Sequence, residues 1–278
     1  MDRIVATTRP VEKAVILAAG LGTRMRKVGA QAALEPEQSA VADAGIKAMI
    51  PFGRPFLDYV LSGLADARVG EVCIVVAPGD RSIREHYAAS PPERMRLCFA
   101  VQPEPRGTAD AVLAAEGFVG DSDFLSLNSD NYYPIAAYRA LQELDGPGLP
   151  VFDREELVRH GHITRHRVNR YAVLRIDPEG FLEQIEEKPD AAAVASLGER
   201  VLVSMNLWRF SPAIFEACRR VPISSRGELE LPQAVQWAVR RLQQRFRAVP
   251  CEGAVLDLST RGDIAAVAGG LRGVEVRL

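Results

Sequence analysis

Residues 16–26 read ILAAGLGTRMR and join an apolar run to a short stretch of glycine and arginine. Glycine lets a backbone turn sharply, and exposed N–H groups beside fixed cations hold phosphate. Gly20 and Gly22 supply the turn, and Arg24 supplies a cation. This stretch predicts a phosphate-binding loop, although a glycine-rich turn between a strand and a helix is also a common structural device.

Short apolar runs alternate with amphipathic stretches through the first half of the chain. Runs rich in Val, Ile, Leu and Phe predict buried strands at 13–19, 71–77, 95–101 and 123–127. Helices are predicted between them at 55–68, 80–88 and 107–118. Strands and helices in alternation predict an α/β fold whose mainly parallel sheet is covered on both faces.

The unusual residues follow these strands. Residues 20–26 follow the first strand, 102–108 follow the third, and NSDN (128–131) follows the fourth. Ligands of open α/β sheets bind beyond the carboxyl ends of the strands. We therefore expect these segments to meet in one pocket.

The second half of the chain is less regular. Its pattern predicts a hairpin over 170–177 and 181–187, a long strand at 200–210, helices near 211–220 and 228–244, a short strand at 254–258 and a helix from about Thr260. No internal repeat or low-complexity linker interrupts it.

The charge balance argues against a nucleic-acid partner. Lys and Arg number 34 and Asp and Glu 36, so the net charge is −2 and a broad basic face is not expected. No apolar run has the length of a membrane span, and the first dozen residues lack the apolar segment of a secretion signal. We expect a cytoplasmic protein that does not bind a membrane.

The four cysteines are far apart and have no metal-ligand spacing. Most lie in apolar runs, which favours reduced thiols in the core. They are Cys73, Cys98, Cys218 and Cys251.

Five motifs occur in the order found in sugar-1-phosphate nucleotidyltransferases. They are LAAGLGTRM followed by Lys47, QPEPRGTADAV (102–112), NSDN (128–131), EEKPD (186–190) and LDLSTRGDI (256–264). The sequence resembles this family, in particular glucose-1-phosphate thymidylyltransferases and UTP–glucose-1-phosphate uridylyltransferases. The resemblance covers nearly the whole chain and is specific for the superfamily but not for the sugar.

The resemblance implies a three-layer, Rossmann-like α/β fold with a mixed, mainly parallel central sheet. It implies a single domain over 1–278, with a nucleotide-binding half at about 1–130 and a sugar-phosphate-binding half at about 131–278. We expect no C-terminal left-handed β-helix, because no hexapeptide repeat is present. An assembly of identical copies is compatible with the sequence.

The implied substrates are an NTP and a sugar-1-phosphate. An NTP carries about four negative charges, and Arg24 and Lys47 are suited to neutralise them, with Arg26 as a weaker third candidate. The backbone expected to approach the nucleotide is that of Ala18, Ala19, Gly20, Gly22 and Thr23. A phosphate monoester is already ionised, so the reaction needs alignment and charge neutralisation rather than a strong general base.

Asp130 and Asp257 match the two metal-binding aspartates of the family, and Mg²⁺ prefers such carboxylate oxygens. The expected cofactor is therefore Mg²⁺. NSDN is also a good turn or capping sequence, and the motif around Asp257 is short, so each aspartate has an ordinary structural explanation as well.

Base recognition is expected from Gln102, whose amide pairs with a pyrimidine through its carbonyl and its N–H. Gly107 lets the backbone approach the base, and Thr108 completes the turn. This favours UTP or dTTP, although RGTADAV also resembles enzymes that make ADP-glucose.

Sugar contacts are expected from Glu187 to hydroxyl groups and from Lys188, as a catalytic cation, to the sugar phosphate. Asn128 and Asn206 are further candidates. Glu-Lys pairs at the end of a hairpin are otherwise ordinary solvated charges. Ala172 replaces a glycine of the family pattern, and its methyl group is expected to alter sugar preference.

Other segments depart from the family pattern. The connection 27–45 is longer than usual, and Ile46 replaces a proline before the lysine. Residues 154–170 gather His160, His162 and His166 among arginines. We expect a solvated basic loop there, with a transition-metal site or an anionic effector site as alternatives.

Two other functions compete with this interpretation. One is a cytidylyl- or guanylyltransferase acting on a non-sugar phosphate, although such enzymes lack the EEKP block. The other is a non-catalytic regulatory protein that binds nucleotide sugars, although Arg24, Lys47, Asp130 and Asp257 are all present here.

Overall fold

The computed structural model describes residues 10–27, 34–160, 163–168, 171–190, 192, 194, 196–198 and 200–278. The strands are β1 (Lys13–Leu17), β2 (Glu71–Val76), β3 (Arg96–Val101), β4 (Phe124–Asn128), β5 (Asn131–Tyr132), β6 (Gly148–Asp153), β7 (Ala172–Ile176), β8 (Leu182–Glu186), β9 (Leu202–Ser204), β10 (Trp208–Phe210), β11 (Arg247–Pro250) and β12 (Leu256–Asp257).

The helices are α1 (Thr23–Arg26), α2 (Pro36–Ala44), α3 (Phe56–Asp66), α4 (Ser82–Ala89), α5 (Thr108–Leu113), α6 (Glu116–Val119), α7 (Ile135–Gln142), α8 (Arg154–His160), α9 (Arg165–Val168), α10 (Ile214–Arg220), α11 (Leu231–Arg241) and α12 (Ile264–Gly270). Short 3₁₀ helices lie at Lys47–Met49 and Arg261–Asp263. Within the described ranges, no helix has the length and apolarity that crossing a membrane requires.

Strands from both halves of the chain join one ten-stranded mixed sheet in the order β3-β2-β1-β4-β10-β6-β9-β7-β8, with β11 paired to β6. Its parallel core is β3-β2-β1-β4. The chain runs outward from β1 through β2 to β3 and then returns to place β4 on the other side of β1. The point between β1 and β4 is therefore the topological switch point, where ligands of such sheets bind.

Helices cover both faces of the sheet because the residues of β1 alternate between two cores. Ala14 and Ile16 pack in the core that includes α3, whereas Val15 and Leu17 pack in the core that includes α5. All four side chains are buried. This is the predicted three-layer α/β fold.

The four strands predicted in the first half are present within two residues of their expected ends. The predicted helix at 107–118 is instead two helices, α5 and α6, separated at Ala114 and Ala115. The predicted strand at 254–258 is reduced to β12, which pairs antiparallel with β5.

The predicted long strand at 200–210 is wrong. Two strands, β9 and β10, take its place, and they pair with different neighbours. The break lies at Asn206, whose φ of 58° is outside the extended region. The Ser204 hydroxyl accepts a hydrogen bond from the Asn206 N–H at 3.2 Å and holds this turn.

The expectation of a solvated basic loop at 154–170 is also wrong for the part that the structure describes. This part contains α8 and α9. Leu157, Ile163 and Val168 are buried in the core. The arginine-rich pattern hid these apolar anchors, which are spaced five or six residues apart.

Two backbones cross at Gly22, which is the N-cap of α1 and has a φ of 62°. A Cβ atom at this position would lie 2.0 Å from the Gly45 carbonyl oxygen. Gly22 is therefore required by a close approach of the chain to itself, just before Lys47. By contrast, a Cβ atom at Gly20 would meet no heavy atom within 4 Å.

We predict that Gly22→Ala lowers the free energy of unfolding by about 1–3 kcal/mol or more. The new methyl group would force the two backbones apart, and alanine would be strained at this positive φ. Gly20→Ala is the matched control and is expected to leave stability unchanged or raised by up to about 1 kcal/mol. Denaturant unfolding measures both. Equal losses in the two variants would contradict the role of this crossing.

Candidate functional site

The glycine loop and NSDN lie side by side at the carboxyl ends of β1 and β4. Leu17 and Asn128 are register partners, and the Ser129 N–H donates to the Leu17 carbonyl at 3.1 Å. Segments more than a hundred residues apart in sequence therefore reach the same edge of the sheet. Two of the three segments expected in one pocket are therefore neighbours, whereas the third, 102–108, follows β3, which lies two strands from β1 at the same edge of the sheet.

The glycine loop presents unused backbone donors. The N–H groups of Gly20, Leu21 and Gly22 donate to no group in the part of the chain that the structure describes. The Ala18 N–H, in contrast, donates to the Val75 carbonyl at 2.8 Å, and Ala19 is buried. The tip of the loop is therefore free to bind an anion through its backbone.

Two arginines follow the loop on α1 and differ in their surroundings. Arg24 and the preceding Thr23 are exposed, and Arg24 forms no hydrogen bond or ion pair with any described residue. Arg26 donates to the Ala44 carbonyl at 3.0 Å. Arg24 is therefore the cation that remains open to a ligand, whereas Arg26 closes the turn.

Lys47 lies beside Asp130. Its Nζ atom is 2.7 Å from Asp130 Oδ2, and each side chain is less than one-fifth exposed. The lysine begins the 3₁₀ helix that follows the Gly45 crossing. The crossing therefore delivers the ammonium group to the end of β4.

Asp257 is on the strand that pairs with the chain just after Asp130. Asp257 and Asn131 are register partners, and the Leu258 N–H donates to the Asp130 carbonyl at 2.8 Å. Asp257 is 4% exposed. Its Oδ1 atom accepts a hydrogen bond from the Ser259 hydroxyl at 2.8 Å.

The other oxygen of Asp257 is held by two side chains that the sequence analysis missed. Arg167 Nη2 lies 2.7 Å from Asp257 Oδ2, and the Tyr171 hydroxyl donates to the same oxygen. Burial and the negative charge of Asp257 raise the pKa of Tyr171 above its ordinary value. Burial lowers the pKa of Arg167, but Asp257, Tyr171 and Asp263 raise it by more. The net effect is a pKa above the ordinary value of arginine.

The donor set of Asp130 and Asp257 fits Mg²⁺. Two carboxylates on neighbouring segments are hard oxygen ligands, and Mg²⁺ completes its shell with waters and substrate phosphates. Among the described residues, no three His, Cys, Asp or Glu side chains form a metal cluster. These two carboxylates therefore supply only part of the shell of a metal ion, and waters or phosphate oxygens would complete it.

Gln102 is buried, and its amide nitrogen donates to the Gly107 carbonyl and to Asp110 Oδ2, both at 2.9 Å. Both N–H groups are thus used within the chain. The expectation that this amide also donates to a base is wrong in this arrangement, and only its carbonyl oxygen is left to accept.

Gly107 and Thr108 are explained by contacts within the chain. A Cβ atom at Gly107, where φ is 123°, would lie 2.4 Å from the Leu229 carbonyl oxygen. Thr108 Oγ1 accepts a hydrogen bond from the Leu231 N–H at 2.9 Å. The turn after β3 is therefore locked to the segment that leads into α11.

Three of the sugar-site candidates, Ala172, Glu187 and Asn206, lie at or beside the ends of β7, β8 and β9, whereas Asn128 ends β4. Ala172 is the register partner of Ser204, two residues before Asn206, and Val173 is the register partner of Glu186. Ala172 is buried, so its methyl group belongs to the core beneath this edge. Tyr133 links the edge to the first half of the site, because its hydroxyl donates to the Met205 carbonyl at 2.6 Å.

Lys188 and Asn206 share an unusual backbone conformation. Their φ values are 49° and 58°, in the left-handed region. Asparagine adopts this region more readily than other non-glycine residues, and lysine does so at a cost. The side chain of Lys188 is exposed there.

Glu187 lies against an acidic segment. Burial and the negative charges of Glu230 and Glu228 together raise the pKa of Glu187 to about 7, against the opposing effect of Arg226. Arg226 pairs with Glu230 at 3.1 Å. A carboxylate with this pKa changes protonation near neutral pH.

Arg261 ties the late motif to the glycine loop. Its guanidinium is buried, donates to the Met25 carbonyl at 2.9 Å and pairs with Asp43. Arg261 lies within the motif LDLSTRGDI, so an arginine inside a short motif is the signal that could have drawn attention to it, whereas its burial is seen only in the structure.

The histidine-rich segment shows no metal site in its described part. His160 is exposed, and its Nε2 atom lies 3.0 Å from Glu156. His162 and the side chain of His166 lie outside the described residues.

The cysteines are free, and burial raises the pKa of Cys73 to about 12.

We predict that Glu187 makes stability fall as pH rises. Its folded pKa of about 7 exceeds its ordinary value of 4.5, so the folded state holds a proton that the unfolded state has lost within this window. Glu187→Gln removes this loss, and its melting temperature should depend less on pH between these two values than that of the wild type. Glu183→Gln, at an exposed position in β8, is the control. A wild-type slope retained in Glu187→Gln would contradict the assignment.

Comparisons with known proteins identify the fold and the family of this chain. A solved UDP-glucose pyrophosphorylase, in complex with UDP-glucose, has the same fold, with a TM-score of 0.72 at 17% identity over 95% of this chain and 100% of the other. A UTP–glucose-1-phosphate uridylyltransferase, AglF, of Haloferax volcanii is 27% identical over 247 residues, which cover 88% of this chain and 90% of the relative.

A glucose-1-phosphate thymidylyltransferase of Streptomyces griseus is 29% identical over 231 residues and 82% of this chain. This chain spans 57% of the length of that relative, and 56% of the low-salt glycan biosynthesis nucleotidyltransferase Agl11 of Haloferax volcanii. The profile of the nucleotidyl transferase family matches residues 13–253. The protein belongs to the nucleotidyl transferase family, and its distant homologues include glucose-1-phosphate thymidylyl- and uridylyltransferases.

Proposed function

We propose that this protein is a Mg²⁺-dependent enzyme that transfers a nucleotidyl group from an NTP, preferably UTP or dTTP, to a sugar-1-phosphate. A phosphate oxygen of the sugar-1-phosphate forms a bond to the α-phosphorus, and the bond from that phosphorus to the bridging oxygen breaks to release pyrophosphate. The observation that carries the proposal is the meeting of the glycine loop with the Lys47–Asp130 pair beyond β1 and β4.

The glycine loop is suited to hold the triphosphate. The free N–H groups of Gly20, Leu21 and Gly22 point to an anion-binding role, and the exposed Arg24 adds a full positive charge beside them. Lys47 supplies a second cation. Together they counter the charge that develops as the phosphate is transferred.

Asp130 and Asp257 are the residues that would hold Mg²⁺. When bound there, the ion would screen the negative charge of the phosphates and orient them. The pairing of β5 with β12 fixes both aspartates at one edge of the molecule.

Recognition of uracil or thymine is assigned to the carbonyl oxygen of Gln102. Uracil and thymine carry an N3–H donor, whereas cytosine carries an acceptor at the same position. The two hydrogen bonds to Gly107 and Asp110 fix the amide so that its oxygen remains the acceptor.

The sugar-1-phosphate is assigned to the edge formed by β7, β8 and β9. Glu187 would accept hydrogen bonds from hydroxyl groups, Asn206 would contact a hydroxyl, and Lys188 would bind the phosphate. The exposure of Lys188 and the left-handed turns at Lys188 and Asn206 support these roles.

We predict that pyrophosphate release requires an NTP, a sugar-1-phosphate and Mg²⁺ together. A matrix of NTPs against several sugar-1-phosphates measures this directly. Asp130→Asn should lower turnover at least about a hundredfold, because charge stabilisation in the site is lost. Asp123→Asn, a carboxylate at the opposite end of β4 that pairs with Arg209, is the control. Full activity of Asp130→Asn would remove the metal assignment, and no release from any pair of substrates would contradict the proposed reaction.

We also predict that Gln102→Ala reduces the preference of kcat/KM for UTP over CTP about tenfold, the effect of one lost hydrogen bond in a buried site. Asp110→Asn keeps the Gln102 carbonyl and still accepts from its amide, so this control should retain the preference. Thermal unfolding shows whether both variants fold. An unchanged ratio in Gln102→Ala would remove the base assignment.

A further inference from the structure

Arg167 forms an ion pair with Asp257, a carboxylate that the proposed function assigns to a metal ion. Its Nη2 atom is 2.7 Å from Asp257 Oδ2 and 3.2 Å from the Asp257 carbonyl oxygen. The guanidinium also pairs with Asp263 through Nη1. Arg167 is only 17% exposed on its side chain, so this is a built contact rather than a surface ion pair.

Asp263 is placed to hold Arg167 at this position. Its Oδ2 atom accepts hydrogen bonds from the Thr260 N–H at 2.6 Å, the Thr260 hydroxyl at 2.9 Å and the Ser259 N–H at 3.1 Å. Its other oxygen, Oδ1, pairs with Arg167. The turn that follows β12 therefore orients Asp263 toward the guanidinium.

The helix that carries Arg167 is short. α9 has four residues, and the Arg167 and Val168 N–H groups donate to the Thr164 carbonyl at 2.9 and 3.0 Å. Val168 is fully buried beside it. A helix of one turn has little stability of its own, so the Arg167 ion pairs contribute substantially to its position.

A divalent cation and a guanidinium cannot share one oxygen of a buried carboxylate. Both are positive, and their repulsion is screened little where water is excluded. Asp257 Oδ2 already accepts from Tyr171, and Oδ1 accepts from Ser259. A metal ion that binds Asp257 Oδ2 would therefore have to replace Arg167.

We propose that Arg167 is a resident cation that competes with the divalent metal ion for Asp257, so that metal binding releases Arg167 and loosens α9. This inference rests on the metal assignment in the proposed function. It makes Arg167 a positioning residue: it holds Asp257 in one orientation until the metal ion arrives, and it sets the metal concentration that the site requires.

The test measures binding of Mn²⁺ alone, in the absence of substrates, by titration calorimetry. Arg167→Gln should bind Mn²⁺ about tenfold more tightly than the wild type. This is the gain expected if Arg167 is paired with Asp257 in about nine-tenths of the metal-free molecules. Arg159→Gln is the matched control, because Arg159 lies on α8 and pairs with Glu156. It should bind as the wild type does. Equal or weaker binding by Arg167→Gln would overturn the competition.

The double variant Arg167→Gln with Asp257→Asn tests whether the metal ion binds at Asp257. It should lose the gain in affinity that Arg167→Gln alone shows. A gain that survives in the double variant would place the metal elsewhere and overturn both this inference and the metal assignment. No Mn²⁺ binding to the wild type or to Arg167→Gln would do the same, whereas nucleotidyl transfer is tested independently by pyrophosphate release.

Hydrogen exchange on the wild type tests the same inference if Arg167→Gln does not fold. Mg²⁺ alone should speed exchange of the Arg167 and Val168 amides of α9. The amides of α11, in the other core, serve as the internal reference and should not change. Exchange in α9 that is slower or unchanged with Mg²⁺ would contradict release of the helix.

Discussion

The parallel pairing of β1 with β4 is the constraint on which the candidate site depends. It places the glycine loop and NSDN at one edge, although the chain makes two further strands between them. Two other candidate groups reach this edge by their own connections. Lys47 arrives through the Gly45 crossing, and Asp257 through the pairing of β12 with β5.

Charge at this edge is balanced in pairs within the chain. Lys47 neutralises Asp130, and Arg167 neutralises Asp257. Burying either carboxylate without its partner would be costly, so the folded chain supplies an internal cation to each. Arg24 differs, because it is exposed and pairs with no described residue. At this edge, a bound polyanion and its metal ion would therefore meet the exposed Arg24 and two carboxylates whose charges are already compensated.

The parallel core of the fold was predictable from the sequence because its strands are short, apolar and bounded by glycine or proline. The clustering of the glycine loop with Asp130 followed from the rule about strand ends. The break at Asn206 was not predictable, because a left-handed residue inside an apolar run leaves no periodic signal.

The partners of the candidate residues were harder to predict than the residues themselves. Arg167 and Tyr171 lie about 90 residues from Asp257, and their contact with it depends on how α9 packs. Gly107 was expected to approach a base, but its contact is with the Leu229 backbone. A sequence motif identifies which residue is unusual, whereas only the tertiary structure shows which neighbouring group requires that residue.

The contact between Gly22 and Gly45 has a consequence for how this chain can vary. Because the backbones of the two glycines approach so closely, this crossing fixes Gly22 and Gly45 relative to each other. Extra residues in the segment between them cost little, since the entropy of closing a loop grows only slowly with its length. Insertions there can accumulate, or be engineered as attachment points for tags and reporter groups, while the ammonium group of Lys47 stays where it is.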